Sequence, residues 1–506
     1  MANKLFRRKP LHVLLEEMHG ENRLRRILGP ITLTSLGVGA IIGTGIFVLT
    51  GVAAHDKAGP ALMLSFVVAG ATCLFAAFCY AEFASMVPVA GSAYTYAYAT
   101  LGELFAWIIG WDLVLEYAVA SATVAHGWSH YFQDFISAFN VFLPKVIAWA
   151  PFKLDVATGT IHASGSWVDL PAILITALVT VVLVRGIRQT ATFNASMVIL
   201  KVSIVIFVIV VGAFYINPEN WKPFAPFGLS GISFFGKTVF GKSMGGAPVG
   251  MLAGAAISFF AYIGFDSIST HAEEAKRPHK DVPIAIISSL LICTVLYMLV
   301  TAVLTGMVPY NKIDINAPVS QAFSQVGIGW AQLLVSLGAL AGITSVLVVL
   351  MLSLPRVLLA VARDGLLPPK FFGAVHERFR TPWKSTILVG IFVATLSALL
   401  PLELLAELVN IGTLLAFVIV CSAVLVMRKT HPHAERPFRA PFFPVTPILG
   451  VALCLLLMFS LPPANWMRLF GWLLVGFVIY FSYGRKHSIM ERFGETATSK
   501  DAALGS

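Results

Sequence analysis

Charge is scarce in this chain. Of its 506 residues only 12% are Asp, Glu, Lys or Arg, while 58% are apolar; soluble domains carry about 25% charged residues. So few charged groups cannot cover a water-soluble body of this size. So many apolar ones exclude a disordered chain. Cysteine is rare as well. The five (Cys73, Cys79, Cys293, Cys421 and Cys454) all fall in apolar stretches and form no CxxC pair. That excludes a disulfide framework and a thiolate metal site, and leaves them as small buried hydrophobes. An apolar signal core is missing too: Met1–Arg26 is basic and polar, expected to stay uncleaved on the cytoplasmic side. Low-complexity tracts are absent, and nothing reads as a soluble domain.

Long apolar runs are what the chain has instead. A bilayer core of about 30 Å takes roughly 20 apolar residues in a helix. That ruler predicts twelve spans: Pro30–Ala53, Pro60–Val87, Leu104–Ala125, Val168–Val184, Thr192–Ile216, Val249–Thr270, Pro283–Val308, Trp330–Leu354, Lys384–Leu400, Leu404–Met427, Val445–Leu461 and Met467–Tyr483. With the N-terminus inside, 26 of the 35 Lys and Arg fall on the inner side, 8 on the outer side, and Lys201 within a span. This asymmetry predicts both termini in the cytoplasm. It also accounts for the net charge of +10 without nucleic acid as a partner. The expected architecture is an all-α polytopic membrane protein whose main partner is the lipid bilayer.

Two spans break the apolar monotony. Span 1 carries Gly37, Gly39, Gly43 and Gly45 within nine residues, and span 6 carries Ser258, Gly264 and Asp266. Each glycine in a helix interior costs about 1 kcal/mol relative to Ala, so four together predict an opened helix. Close helix packing through Gly39 and Gly43 is the other reading of span 1 alone. Opened backbone is tolerated at membrane depth only where it lines a cavity or is covered by protein. The interrupted spans stand five apart, the pattern of an inverted-repeat transporter with its site at the breaks.

The motifs at these places resemble a known family. They are Gly39–Phe47 (GAIIGTGIF), Ala58-Gly59-Pro60, Tyr80-Ala81-Glu82, Pro88–Tyr94 (PVAGSAY), Gly110-Trp111-Asp112, Leu115-Glu116-Tyr117, Glu273-Glu274-Ala275-Lys276, and Pro355-Arg356 with Arg363-Asp364-Gly365. In this order, over about residues 20–445, they resemble bacterial amino acid permeases of the amino acid–polyamine–organocation superfamily, in the branch related to cationic amino acid transporters. The resemblance implies a leucine-transporter-like fold of two inverted five-helix repeats and two added helices, importing amino acids. On that plan 1–29 is a cytoplasmic tail, 30–216 the first repeat, 217–248 an extracellular loop, 249–427 the second repeat, 428–484 the two added spans and 485–506 a cytoplasmic tail. The chain departs from its relatives at Thr32, where Asp is frequent, at Arg277, where Asn is usual, and at His126, where a small apolar residue is common. Many animal members have fourteen spans, so their cationic specificity does not carry over by itself.

A free amino acid is a zwitterion, and an opened helix offers both signs of partial charge without an ionised side chain. Amides near Gly43, Thr44 and Gly45 head the second half of span 1 and suit a carboxylate. Carbonyls at half-helix ends suit an ammonium, with Ile41, Phe260, Ala261 and Ile263 as candidates. The resemblance assigns the same roles to these positions. Phe259 and Tyr262 are candidates for an aromatic gate, or else lipid-facing or core aromatics. Ile343 stands where the family places a residue facing the substrate side chain. A branched aliphatic there leaves little room, which points to small or medium neutral amino acids.

Lys201 lies about 13 Å into span 5, too deep to reach the headgroups fully, and an intramembrane ionisable group is a functional candidate by default. The resemblance places its amine where related symporters hold sodium, touching carbonyls around Val38 and Gly39 and the hydroxyls of Thr344 and Ser345. Gain and loss of a proton would then replace sodium binding, giving proton-coupled symport. A permanently charged brace between spans 1, 5 and 8 is the alternative. Glu116 and Asp112, spaced i,i+4 on one face of span 3, have three readings for Glu116: a second proton site, a partner for a cationic substrate, or an interior hydrogen-bonding group. Asp266 is expected to pair with Tyr297 of span 7. Glu82 reads as structural or gating, and Glu273, Glu274, Arg277, Lys280, Asp281 and Arg356 form a charged inner cluster suited to a gate latch or to solvated helix ends. His126 and His130 lack a third ligand for a metal.

No HExxH motif occurs within a span. One GxSxG match (Gly241–Gly245) falls in an outer loop without the strand-to-helix setting of a nucleophile, so no enzyme is expected. A channel or sensor would not require paired breaks. The expectation is a secondary active transporter of the bacterial inner membrane, with no cofactor beyond a proton as coupling ion. Cationic amino acid transport and exchange are the alternatives. A small accessory membrane subunit is left open.

Overall fold

A computed structural model describes residues 7–8, 28–86, 92–155, 160–185, 191–234, 237–270, 272, 275–379 and 381–489. Of the sequence motifs, Pro88–Gly91, Glu273 and Glu274 lie outside the described residues, as do most of both tails.

Every predicted span holds helix. Among the described residues eight helical stretches are long and apolar enough to cross a membrane, and four shorter apolar helices (Pro30–Ile41, Leu170–Arg185, Trp383–Leu399 and Val445–Phe459) fill the other places. Several boundaries differ from those read in the sequence. Span 3 runs Glu103–Ser137 and span 8 runs Gly329–Arg363. Both continue as helix beyond the apolar run, span 3 with Ser129, His130 and Asp134 buried in its polar end. Span 1 does not stop at Ala53. After its break it continues through two π-helical turns, Gly45–Leu49 and Ala53–Ala58, and reaches span 2 (Leu62–Met86) through a single 3-10 turn. Gly59, at φ +61°, makes that corner, a backbone state that glycine enters without penalty.

Before span 4 a short helix forms at Lys145–Ala148 and a hairpin pairs Phe152–Asp155 with Thr160–Ala163. Between spans 5 and 6 two further hairpins form, Ile232–Phe234 with Lys237–Phe240 and Lys242–Met244 with Ala247–Val249. A helix at Pro318–Gln325 connects span 7 (Pro278–Met307) to span 8.

The packing repeats itself when each span is exchanged for the one five places later. Span 1 packs on span 7 as span 6 packs on span 2. Span 3 packs on span 10 as span 8 packs on span 5. Likewise 2 on 10 matches 7 on 5, 1 on 5 matches 6 on 10, and 3 on 4 matches 8 on 9. An odd number of spans per repeat turns the second copy over in the bilayer, which is the inverted repeat that broken spans 1 and 6 announce. Span 11 (Val445–Phe459) lies outside this exchange, against spans 2 and 10, and span 12 (Pro463–Ile479) against span 10.

We call inner the face on which Leu28 bridges Ala275 and Arg428 meets Glu82, and outer the face on which Gly250 bonds the Lys57 carbonyl.

Candidate functional site

The inner half of span 1, Pro30–Ile41, ends where Ile42 turns to ψ 108° while its amide still bonds the Val38 carbonyl at 3.0 Å. The outer half begins again at Gly43, whose carbonyl accepts from the Ile46 and Phe47 amides, both at 3.2 Å. The amides of Gly43, Thr44 and Gly45 therefore precede the first bond of that half-helix, at its partially positive end. Span 6 breaks in the opposite direction. Its outer half, Met251–Ser258, tightens into a 3-10 turn over Phe259–Tyr262; Ile263 then turns extended and Gly264 takes φ +112°. Ser267 holds the far side, its amide and hydroxyl both donating to the Gly264 carbonyl at 3.1 and 2.5 Å.

The two breaks cross head to tail. A Cβ on Gly45 would overlap the Ala261 backbone, and one on Gly264 would come within 2.9 Å of the Ala40 carbonyl oxygen. At the crossing is a cavity of about 10 Å³, bordered among others by Ile41, Gly43, Thr44, Gly45, Phe260 and Ile263. That is room for about one water. Val346 and Leu350 of span 8 and Ala120 and Val124 of span 3 complete an aliphatic wall, and no lining residue is ionisable.

Six of the residues proposed from sequence for the substrate thus meet here, and others do not. Phe259 is turned to span 10, its ring 5.6 Å from Phe417. Tyr262 donates to the Phe66 carbonyl at 2.8 Å, with its ring against Phe66 and Tyr297. Ile343 is fully buried but does not border the cavity; Val346, one turn further along span 8, does, and stands 2.8 Å from where a Gly43 Cβ would be. Glu116 is buried in the bundle with its Oε1 lacking a protein partner, as are both carboxylate oxygens of Asp112. It is an interior group off the cavity.

The carbonyls chosen for an ammonium are partly engaged. The Tyr297 hydroxyl lies 3.0 Å from the Ile41 oxygen and 3.1 Å from the Ala261 oxygen, so one proton is shared between the two breaks. The expected Asp266–Tyr297 pair is therefore corrected. The turn at Ile263–Gly264 carries Asp266 toward span 3, where its Oδ2 accepts from the Tyr117 hydroxyl at 2.8 Å. Asn410 of span 10 escaped the sequence reading. Its amide donates to the Ala256 and Ile257 carbonyls at 2.8 and 3.2 Å, capping the outer half of span 6. A lone amide in an apolar span is the signal that marks it, because such a group must find partners. Tyr131 donates its hydroxyl to the Phe47 carbonyl at 2.7 Å, inside the first π-helical turn of span 1.

Lys201 is 1% exposed and reaches span 1: Nζ donates to Gly39 O at 2.5 Å and Ile42 O at 3.2 Å. Both oxygens lie at the C-terminal, partially negative end of the inner half-helix, which favours a cation. No carboxylate lies within ion-pair distance of it among the described residues. The expected contacts to span 8 hydroxyls are corrected. Thr344 and Ser345 bond carbonyls of their own helix, Leu340 and Gly342, at 2.7 and 3.1 Å, as hydroxyls in helices commonly do. Thr344 also accepts from Trp128 Nε1 at 2.9 Å. The lysine stem instead lies along Gly342.

At the inner end Arg277 and Asp281 pair within one helix start, the Arg277 amide donating to Asp281 at 3.1 Å. That is a cap rather than a latch between elements. The ion pair between elements is at Glu82, with Arg428 at 2.5 Å and Arg436 at 3.4 Å. Arg428 grips both its oxygens, Nε at 2.9 Å and a terminal nitrogen at 2.5 Å, and the Ala440 amide donates at 2.8 Å. His126 Nδ1 lies 3.0 Å from Asp169 Oδ2 and bonds the Ser397 carbonyl at 3.2 Å.

The amino acid permease family model matches residues 28–481. The chain is 44% identical over 490 residues to the methylthioribose transporter of Bacillus subtilis (strain 168), covering 97% of this chain and all of the relative. It is 45% identical over 489 residues to the branched-chain amino acid permease BcaP of the same organism, covering 96% and 99%. At 38% over 437 residues it matches the vacuolar cationic amino acid transporter 4 of Arabidopsis thaliana, covering 85% and 68%. Matched over residues 28–481, nearly the whole helical body, this integral membrane protein belongs to the amino acid permease family.

Proposed function

We propose that this protein is a secondary active transporter that takes up small to medium neutral L-amino acids by alternating access, coupled to protons through Lys201, in the inner membrane of a bacterium with both termini in the cytoplasm. The observation that carries the reading is the cavity at the crossing. It joins the amide-rich start of the outer half of span 1 to an aliphatic wall without an ionisable side chain. The amides suit a carboxylate, and Val346, Leu350 and Ile263 suit an aliphatic side chain. The branched-chain permease BcaP, similar over its whole length, is consistent with that wall. A cationic substrate is disfavoured because Glu116 stands away from the cavity.

In the described conformation the cavity holds about one water, so an amino acid enters only after the spans around the crossing part. Binding would reorganise the hydroxyl of Tyr297, freeing the Ile41 and Ala261 carbonyls toward the ammonium. Lys201, charged, ties the inner half of span 1 to span 5; loss of its proton would release the Gly39 and Ile42 carbonyls and let the inner half swing.

The test is uptake of radiolabelled amino acids into proteoliposomes with and without an inward proton gradient. Saturable, gradient-stimulated accumulation of leucine, valine or alanine supports the reading. Accumulation of arginine and lysine alone overturns the neutral assignment. One relative supports a second reading, an uncharged thio-sugar such as methylthioribose. Uptake of that compound with no amino acid uptake would favour it.

A further inference from the structure

The outer face holds a second, larger cavity of about 160 Å³, separate from the crossing. Five distant parts of the chain build it, Leu154 of the first hairpin among them. Lys57 ends the outer half of span 1, Gly245 and Gly246 form the tip of the second hairpin before span 6, Glu407 stands in span 10, and Arg468 in span 12. The hairpin is fastened to the lysine, since Gly250, just past its second strand, donates its amide to the Lys57 carbonyl at 2.8 Å. Its tip is tight, with Gly245 at φ +57° and Gly246 at φ +77°, states that side chains rarely adopt.

The charges in this cavity are unevenly matched. Asn465 joins two of them: its amide donates to Glu407 Oε2 at 3.2 Å, and its oxygen accepts from Arg468 at 2.5 Å. Lys57 is different. The residue is 3% exposed, borders the cavity, and its ammonium has no ion pair or hydrogen bond among the described residues. A buried ammonium without a partner is unfavourable. Two positive side chains, Lys57 and Arg468, thus share the cavity with one carboxylate, Glu407, which also feels the Lys57 charge, and the excess positive charge faces a space that water shares at about 30 Å³ per molecule, enough for several waters.

We propose that this cavity is an outer binding site for a small carboxylate, supplied by the α-carboxyl group of an amino acid, with Lys57 holding the carboxylate and Glu407 the ammonium. The inference rests on the reading of the chain as an amino acid carrier. The cavity has room for a small amino acid while the crossing is shut, so it retains solute at the outer face until the central site opens.

Equilibrium dialysis of tritiated L-leucine with the purified full-length protein tests it. Two classes of site are expected in the wild type, the weaker one lost or weakened roughly tenfold or more in Lys57→Met, the size of one charge-assisted hydrogen bond, and kept in Lys57→Arg. Leucine's deaminated analogue, 4-methylpentanoate, should reach the weaker class with reduced affinity in the wild type and with no further loss in Glu407→Gln. Equal affinity for leucine and 4-methylpentanoate would overturn the assignment to an amino acid and leave a simple carboxylate. A single class in the wild type, or a weaker class untouched by Lys57→Met, overturns the site itself, and the wild-type measurement stands even if that variant fails to fold. A lone class sensitive to Lys57→Met but not to Gly45→Val upholds the outer site while overturning the central one. A lone class sensitive only to Gly45→Val does the reverse.

Discussion

Gly45 in span 1 rests directly on Ala261 in span 6, so closely that a single methyl group on the glycine would overlap the alanine backbone. The contact brings the positive end of one half-helix against the last turn of another, and it fixes the height at which the two repeats cross. Gly45→Val should therefore abolish uptake while leaving the protein soluble in detergent and monodisperse, since overpacking costs about 1–3 kcal/mol in a large core. Uptake with fluorescence-detected size exclusion checks this; normal transport by the variant would show that the crossing tolerates separation.

Tyr297→Phe removes one oxygen and keeps the ring that packs 5.5 Å from both Phe66 and Tyr262. The Ile41 and Ala261 carbonyls then lose their shared donor. A buried acceptor left without a partner costs about 1–3 kcal/mol, so a lowered melting temperature and a roughly tenfold loss of uptake are expected. An unchanged melting curve would mean that the carbonyls do not depend on this hydroxyl.

Lys201→Met should leave counterflow of amino acid in place but remove its response to an imposed proton gradient. Lys201 is the only ionisable side chain that bonds the Gly39 and Ile42 carbonyls among the described residues, with the Cys293 thiol nearby. Gradient-driven accumulation at the wild-type level would assign the lysine a bracing role only.

Glu82→Gln keeps shape and removes charge from a carboxylate that is 2% exposed and grips Arg428 twice. Breaking a buried pair by neutralising one member costs about 3–5 kcal/mol. Thermal unfolding should shift down clearly, and Glu82→Gln with Arg428→Met should recover part of the loss. No recovery in the double variant would show that Arg436, 3.4 Å from the same carboxylate, or the Ala440 amide, not Arg428, is the partner that matters.

Val346→Ala enlarges the aliphatic wall beside Gly43. Competition assays should show the preference moving toward larger neutral side chains, whereas Ile343→Ala should shift it less. The reverse order would place Ile343 against the substrate.

The breaks themselves could be read from the chain because glycine and serine are conspicuous against an apolar background, and so could the depth of Lys201. Partners across spans could not. Spans 1, 6 and 8 are apolar on nearly all sides, so composition does not fix how each is rotated about its axis. That is why sequence does not separate Ile343 from Val346, one turn apart, or Phe259 from Phe260, which borders the cavity. Asp266 was matched to Tyr297 because neither the turn at Gly264 nor the reach of Tyr117 leaves a trace in spacing. Asn410 was legible in principle as an isolated amide, but its target, two carbonyls on another span, emerges only from the fold.

A carrier found closed around a space fit for a single water has a thermodynamic signature. Part of whatever the cargo gains by binding goes into prising the two repeats apart, so a dissociation constant measured on this protein reports the grip of the site reduced by the rarity of its open form. Substitutions that loosen the crossing without touching the cargo should thus tighten apparent binding, and an affinity ranking among ligands will sort them by how well they wedge as much as by how well they fit.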